Sequence, residues 1–111
     1  MEVNFLRNRN NLIFYFDCDL DHHNVSGLKE KIDKVISKNR PKNIIFDFSR
    51  VNFMDSSGVG LVLGRYKNLK SSGGDVKICG LSGEIKRIFM LSGLQKIIPT
   101  YTTADEAIVN E

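Results

Sequence analysis

The stretch FMDSSGVGLVLG, residues 53–64, holds an aspartate, two serines and three glycines directly after an apolar segment. Small residues beside hydroxyl groups are typical of three kinds of site: a loop that binds phosphate, a serine nucleophile, and a serine that is itself phosphorylated. Each kind of site needs further residues at defined spacings. The neighbouring sequence can therefore separate the three.

A phosphate-binding loop is weakly supported. A Walker A loop ends in a lysine followed by serine or threonine, whereas Gly60 is followed by Leu61 and Val62. The dinucleotide fingerprint requires a third glycine at position 63, where this chain has leucine. A helix N-terminus alone still attracts a phosphate group, so direct nucleotide binding stays open.

A hydrolase with a serine nucleophile is also weakly supported. The strand-to-helix elbow of such enzymes has glycine two residues before the serine, and Met54 occupies that position before Ser56. The two histidines, His22 and His23, are adjacent and show no triad order. No third ligand stands near them at metal spacing, so we predict no metal site.

A second candidate motif is the Asp-x-Asp pair formed by Asp17 and Asp19 after the apolar run LIFYF. Two carboxylates at this spacing superficially match the nucleophile motif of haloacid dehalogenase-type phosphatases, which bind magnesium. Those enzymes also need a later lysine and an acidic pair at another strand end. We therefore favour the simpler interpretation that both aspartates face solvent where a strand leaves the sheet.

The third possibility makes a serine the site of modification. Asp55, Ser56 and Ser57 lie between a predicted strand and a predicted helix, so any of them could be the helix N-cap. A cap does not explain the glycines at 58, 60 and 64, because each costs about 1 kcal/mol relative to alanine inside a helix. Glycines permit close approach, either of the helix to the sheet or of another protein to the loop. The residues alone do not decide between a plain cap and a protein-binding loop.

The elements that position these residues follow from hydrophobic periodicity. Residues 3–7 and 12–16 predict two short strands around the polar turn RNRNN. A helix follows and ends at Asn39-Arg40-Pro41; its apolar positions are Val25, Leu28, Ile32, Val35 and Ile36. The segment NIIFDFS at 43–49 is apolar at nearly every position, which predicts a central strand buried on both faces.

A second helix starts in the opening stretch, and we assign its core face to Val59, Val62, Leu63 and Tyr66. Phe53 is likewise assigned to the core, and Arg65 and Lys67 to solvent. The segment DVKICG predicts a strand, and a third helix runs between an N-cap at Ser82 and a C-terminal glycine, Gly93. After a last extended piece, KIIPTY, the capping box of Thr103 and Glu106 starts a final helix. The order ββαβαβαβα predicts a single α/β domain over residues 1–111, with a small mixed β-sheet and four α-helices.

Composition limits the functional classes further. The sixteen Lys and Arg residues are interleaved with thirteen Asp and Glu, and the net charge is only +3. Such a surface does not predict a nucleic-acid partner. No apolar run is long enough to span a bilayer, and the N-terminus lacks a signal-peptide core. We therefore expect a cytoplasmic protein with no membrane partner and with Cys79 packed in the interior. A monomer is the default expectation for the free protein, and no cofactor is expected.

Three segments together resemble a known family: FMDSSGVGLVLGRYK at 53–67, LDHHN at 20–24 and IKRIFMLSGLQKII at 85–98. They are similar to the STAS-domain anti-sigma factor antagonists (anti-anti-sigma factors), in particular those of sporulation. The likeness extends over nearly the whole chain. Two positions depart from the family pattern: Cys18-Asp19 replaces the common Gly-Glu, and Val59 replaces the more usual leucine.

The resemblance implies a regulatory phosphoprotein without catalysis of its own. The unphosphorylated form would bind an anti-sigma factor that is also an ATP-dependent serine kinase, which frees the sigma factor for transcription. The kinase would then phosphorylate Ser56, with Ser57 as the alternative acceptor, and a serine phosphatase would reset this partner-switching cycle. A STAS sensor or scaffold module without phosphotransfer is the alternative. The implied contact residues for the partner are Asp21, His22, His23, Asp55, Ser56, Ser57, Gly58 and Gly60.

Overall fold

In the computed structural model, which describes residues 3–109, helices alternate with strands after an initial hairpin, as the sequence predicts. The strands are β1 (Val3–Asn8), β2 (Asn11–Phe16), β3 (Asn43–Asp47), β4 (Asp75–Cys79) and β5 (Thr100–Tyr101). The α-helices are α1 (His22–Asn39), α2 (Ser56–Ser71), α3 (Gly83–Ser92) and α4 (Ala104–Val109), and a short 3-10 helix covers Leu94–Lys96.

The five strands form one mixed sheet in the order β1-β2-β3-β4-β5. Only the β1–β2 hairpin is antiparallel, and the other neighbours are parallel. The central position predicted for β3 is confirmed, with Ile44, Ile45 and Phe46 fully buried. Because β2 and β3 run in the same direction, α1 and α2 both begin at the edge of the sheet where these strands end.

The two faces of the sheet bury unequal cores. The larger core lies on the side of α1 and α2, where the Phe14 and Phe16 rings each stack on Phe46 with centroids 5.7 Å apart. The smaller core is covered by α4 and contains Ile13, Ile45, Cys79 and Ala107. Consecutive strand residues therefore alternate between the two cores, as a pleated strand requires.

The predicted core face of α2 is incomplete. Val62 is buried, and Val59, Leu63 and Tyr66 are partly buried and pack against the larger core, but the buried residues also include Gly58, Leu61, Arg65 and Leu69. The prediction counted apolar side chains, but the buried stripe includes a glycine and an arginine.

Arg65 was predicted to be exposed and Phe53 to be buried, and the structure shows the reverse for both. Arg65 is 5% exposed, and its Nε lies 3.1 Å from Oδ1 of Asp33 on α1, so the solvent assignment is wrong. Phe53 is 51% exposed although its neighbour Met54 is buried, so the core assignment is also wrong. Lys67 is exposed, as predicted.

At the other helix ends, most of the predicted capping residues are found at the positions expected from the sequence. Gly93 adopts the left-handed conformation that ends α3, with φ 82°, and Thr103 Oγ1 accepts from the N–H of Glu106 at 3.2 Å. Ser82 is the N-cap residue of α3, but its side chain makes no capping hydrogen bond.

The Cys79 thiol is buried, and desolvation together with the neighbouring Asp47 raises its pKa to about 12. A thiol with this pKa stays neutral, which fits the predicted packing role.

Candidate functional site

The loops after β2 and β3 pair with each other just before α1 and α2 begin. Leu20 and Met54 form a parallel bridge, in which the Leu20 N–H donates to the Phe53 carbonyl at 2.9 Å and the Asp55 N–H donates to the Leu20 carbonyl at 3.2 Å. Leu20 and Met54 are both buried. The bridge holds the N-termini of α1 and α2 side by side; we call residues 20–24 and 53–60 the double-cap region.

Asp55 ties the two helix N-termini together. Its backbone is extended, its Oδ1 accepts from the Ser57 N–H at 2.8 Å, and its Oδ2 accepts from the His22 N–H at 3.1 Å. One carboxylate therefore satisfies an unpaired donor at each helix start. Asp21 is the N-cap residue of α1, and its Oδ1 accepts from the Asn24 N–H at 2.9 Å. Of the three residues that could have capped α2, the structure selects Asp55.

The surroundings of Asp55 keep it ionised. Partial desolvation raises the pKa of its carboxyl, but the hydrogen bonds from the N–H groups of Ser57 and His22, and from the Ser57 side chain, outweigh that effect. The net result is a pKa below the ordinary value of 3.8. The positive ends of two helix dipoles act in the same direction. A fixed negative charge therefore stands beside the two serines at neutral pH.

The two candidate acceptor serines differ in environment. Ser56 is the first residue of α2 and is exposed, whereas Ser57 is half-buried and hydrogen-bonded to Asp55 through its backbone and side chain. An acceptor hydroxyl must reach the active site of another protein. Ser56 is the more accessible of the two residues.

The glycines serve two different purposes. A Cβ on Gly58 would lie 2.6 Å from the Met54 Cγ and 2.9 Å from the Leu20 Cβ, so this glycine lets α2 seat against the paired loops. Gly60 is exposed, and nothing lies within 4 Å of the position that a Cβ would occupy. The absence of a side chain at Gly60 leaves backbone accessible from outside, one turn after Ser56 on the same side of the helix.

The histidines and the Asp-x-Asp pair have ordinary surroundings. His22 and His23 are exposed in the first turn of α1. Asp17 forms an ion pair with Arg50 at 3.6 Å, and Asp19 is exposed, so both aspartates face solvent as predicted. Within residues 3–109, no three His, Cys, Asp or Glu side chains are grouped as metal ligands would be. In the same range, no helix combines the length and the apolar character needed to cross a membrane.

Phe53 is a member of the double-cap region that the sequence analysis did not include among the site residues. Local sequence carries no signal that separates it from its neighbour, because Met54 lies between the same polar residues, Asn52 and Asp55, and is buried. The contact residues that the family resemblance implied also lie within the double-cap region.

Comparison with known proteins agrees with this architecture. A family model for the STAS domain matches residues 2–107. The anti-sigma F factor antagonist of Paenibacillus polymyxa is 32% identical over 108 residues, which cover 97% of this chain and 92% of the relative.

Two solved structures of the antagonist SpoIIAA extend the comparison. Unphosphorylated SpoIIAA is 34% identical with a TM-score of 0.82, and the match covers 96% of this chain and 93% of SpoIIAA. Phosphorylated SpoIIAA of Bacillus is 34% identical with a TM-score of 0.74, and the match covers 97% of each chain. The matching domain model, together with a relative above 30% identity over nearly its full length, shows that this chain belongs to the STAS-domain family of anti-sigma factor antagonists of the SpoIIAA type.

Proposed function

We propose that this chain binds an anti-sigma factor through its double-cap region and releases it when Ser56 is phosphorylated. The unphosphorylated chain sequesters the anti-sigma factor, and the sigma factor is then free to direct transcription. The relative from Paenibacillus polymyxa is named as an antagonist of the anti-sigma F factor. The existence of SpoIIAA in an unphosphorylated and a phosphorylated form supports a phosphate-controlled switch.

The observation that carries the proposal is the position of Ser56. Its side chain is exposed at the first residue of α2, next to the Asp55 carboxylate that joins two helix N-termini. Modification there changes the surface of the double-cap region without requiring any buried group to move. The domain should therefore keep its fold in both states.

Phosphorylation changes the charge of the interface. A phosphoserine carries about −1.5 to −2 charges at neutral pH and three strong acceptor oxygens. The start of α2 tolerates that charge because the helix dipole favours anions there. In a complex, however, the phosphate must be desolvated beside the ionised Asp55, and a buried unpaired charge of this kind weakens association strongly.

In this proposal, the partner proteins catalyse both the phosphorylation and the dephosphorylation of Ser56. In this proposal the anti-sigma factor is also a serine kinase that transfers the γ-phosphate of ATP to the Ser56 hydroxyl, with release of ADP. A serine phosphatase hydrolyses the phosphoserine and restores the binding form. This chain supplies the acceptor hydroxyl and the recognition surface, and it needs no cofactor of its own.

The test is the intact mass of the chain after incubation with ATP and the anti-sigma factor from the same organism. Ser56→Ala and Ser57→Ala are a matched pair, because each removes one hydroxyl from neighbouring positions at the same helix start. We expect a gain of one phosphate in the wild type and in Ser57→Ala, and none in Ser56→Ala.

Two other results would change the proposal. Loss of phosphorylation only in Ser57→Ala would keep the switch but move the acceptor. No phosphate on the wild type, with a kinase active on another substrate, would favour the sensor or scaffold function without phosphotransfer.

A further inference from the structure

Phe53 is a large aromatic side chain held in an exposed position within the double-cap region. Half of it is accessible to solvent (51%), while Val51, two residues before it, and Met54, directly after it, are buried. Aromatic side chains are enriched in protein–protein interfaces and among the residues that contribute most of the binding energy.

The backbone of Phe53 is fixed in place. Its carbonyl accepts from the Leu20 N–H at 2.9 Å, and the next residue, Met54, forms the bridge with Leu20. The ring is therefore presented from a paired segment, and little backbone freedom would be lost on binding. Preorganisation of this kind strengthens a contact, because less conformational entropy opposes it.

The start of α2, three residues after Phe53 in the chain, is suited to close contact. Ser56 and Gly60 lie one helical turn apart on α2, both are exposed, and Gly60 carries no side chain. A partner can approach this strip of the helix closely while an apolar pocket receives the neighbouring ring. Interfaces typically combine a central aromatic anchor with surrounding contacts that contribute little energy of their own.

We propose that Phe53 is the apolar anchor by which the anti-sigma factor holds this chain, and that Ser56 controls whether that anchor can engage. The inference rests on the proposed function and assigns different roles in it to Phe53 and Ser56. The Phe53 ring supplies affinity through burial in a pocket of the partner, and the phosphate on Ser56 opposes that burial. The partner surface that faces Phe53 must then be apolar and must lie beside the kinase active site.

A matched control exists within the chain. Phe5 on the edge strand β1 is 49% exposed, nearly the same as Phe53, but it lies outside the double-cap region. Phe53→Ala and Phe5→Ala therefore remove the same side chain at almost equal exposure. Thermal unfolding of both variants provides the check that each remains folded.

The experiment is isothermal titration of each chain with the purified anti-sigma factor from the same organism. We expect Phe53→Ala to bind at least roughly 10-fold more weakly, the range of an anchor residue, and Phe5→Ala to bind like the wild type. Phe53→Leu should recover part of the loss. In phosphorylation assays, Phe53→Ala should raise the KM for this chain and leave kcat nearly unchanged.

Three results would overturn the inference: wild-type affinity in Phe53→Ala, an equal loss in Phe5→Ala, or a fall in kcat without a change in KM. Ser56→Asp in the same titration distinguishes failure of the Phe53 anchor from failure of the Ser56 phosphate switch. If Ser56→Asp loses binding and Phe53→Ala does not, the anchor is wrong and the phosphate switch stands. If the wild type itself does not bind, the proposed function fails.

Discussion

The starts of α2 and α3 look alike in the sequence and differ in the structure. Each has serine and glycine at the helix start, Ser56-Ser57-Gly58 in one and Ser82-Gly83 in the other. At α2 the Asp55 carboxylate accepts hydrogen bonds from two helices, whereas the Ser82 side chain makes no capping bond. The acidic residue in the first turn of α3, Glu84, pairs with Arg87 of its own helix at 3.0 Å.

The difference lies in the surroundings of each helix start and not in the residue types. Serine and glycine are common at helix starts because they suit caps and turns. The start of α2 differs from that of α3 in having a second loop paired beside it, a shared carboxylate and a glycine that lets the elements approach. Substitutions at matching positions of the two helix starts can test this comparison.

The largest difference is expected when a negative charge is introduced. Ser56→Asp should weaken binding of the anti-sigma factor by about 100-fold, because the new carboxylate must be desolvated beside Asp55. Ser82→Asp should leave the affinity unchanged, since Ser82 lies at the cap of a different helix. Isothermal titration measures both, with Ser56→Ala as the neutral control. Equal affinities of Ser56→Asp and Ser56→Ala would contradict the electrostatic explanation.

The next effect concerns the packing beneath the site. Gly58→Ala should destabilise the protein by about 1–3 kcal/mol, because the added Cβ would contact Met54 and Leu20 too closely. Gly60→Ala adds the same methyl group in open space and should stabilise the helix by about 0.5–1 kcal/mol. Urea unfolding gives both values. A stabilising Gly58→Ala would mean that the paired loops yield without strain.

A smaller effect is expected from removing the caps. Asp55→Ala leaves donors unpaired at the starts of both α1 and α2, so it should lower the unfolding midpoint. Ser82→Ala removes a side chain that makes no capping bond and should change stability by less than about 0.5 kcal/mol. Thermal unfolding of the two variants measures the contrast. Equal midpoints would show that the shared carboxylate contributes nothing to stability.

The smallest effect is a pH dependence linked to Asp55. Its folded-state pKa lies below 3.8, so the carboxylate contributes stability that is present above pH 3.8 and is lost as the pH falls through the folded-state value. The unfolding free energy of the wild type should exceed that of Asp55→Asn at neutral pH, and the two curves should converge in acid. Ser82 carries no titrating group, so Ser82→Ala should run parallel to the wild type. A constant difference between wild type and Asp55→Asn at every pH would contradict the lowered pKa.

Much of the fold could be predicted from local sequence. The order of elements follows from periodicity, and the ends of α1 and α3 follow from Arg40-Pro41 and Gly93, because these signals act through neighbouring backbone. The central position of β3 follows from its uninterrupted apolar residues, which only a strand covered on both faces can bury. The grouping of Asp21, His22 and His23 with the Ser56 loop came from the family resemblance rather than from spacing.

Residues whose environment depends on another element could not be assigned from sequence. Arg65 is buried because Asp33 on α1 pairs with it, and Phe53 is exposed because the bridge to Leu20 fixes the direction of its loop. Hydrophobicity predicts the opposite for both residues, since it takes no account of partners that are distant in the chain.

The sequence by itself determined the element order, the presence of a small-residue helix start after Asp55, and the resemblance that connects Ser56 with phosphorylation. Only the tertiary structure decided that Asp55 is the cap, that it also binds the start of α1, and that Ser56 rather than Ser57 is the exposed hydroxyl. The physical reason is the parallel pairing of β2 and β3. That pairing brings together two helix starts that lie more than thirty residues apart in the chain.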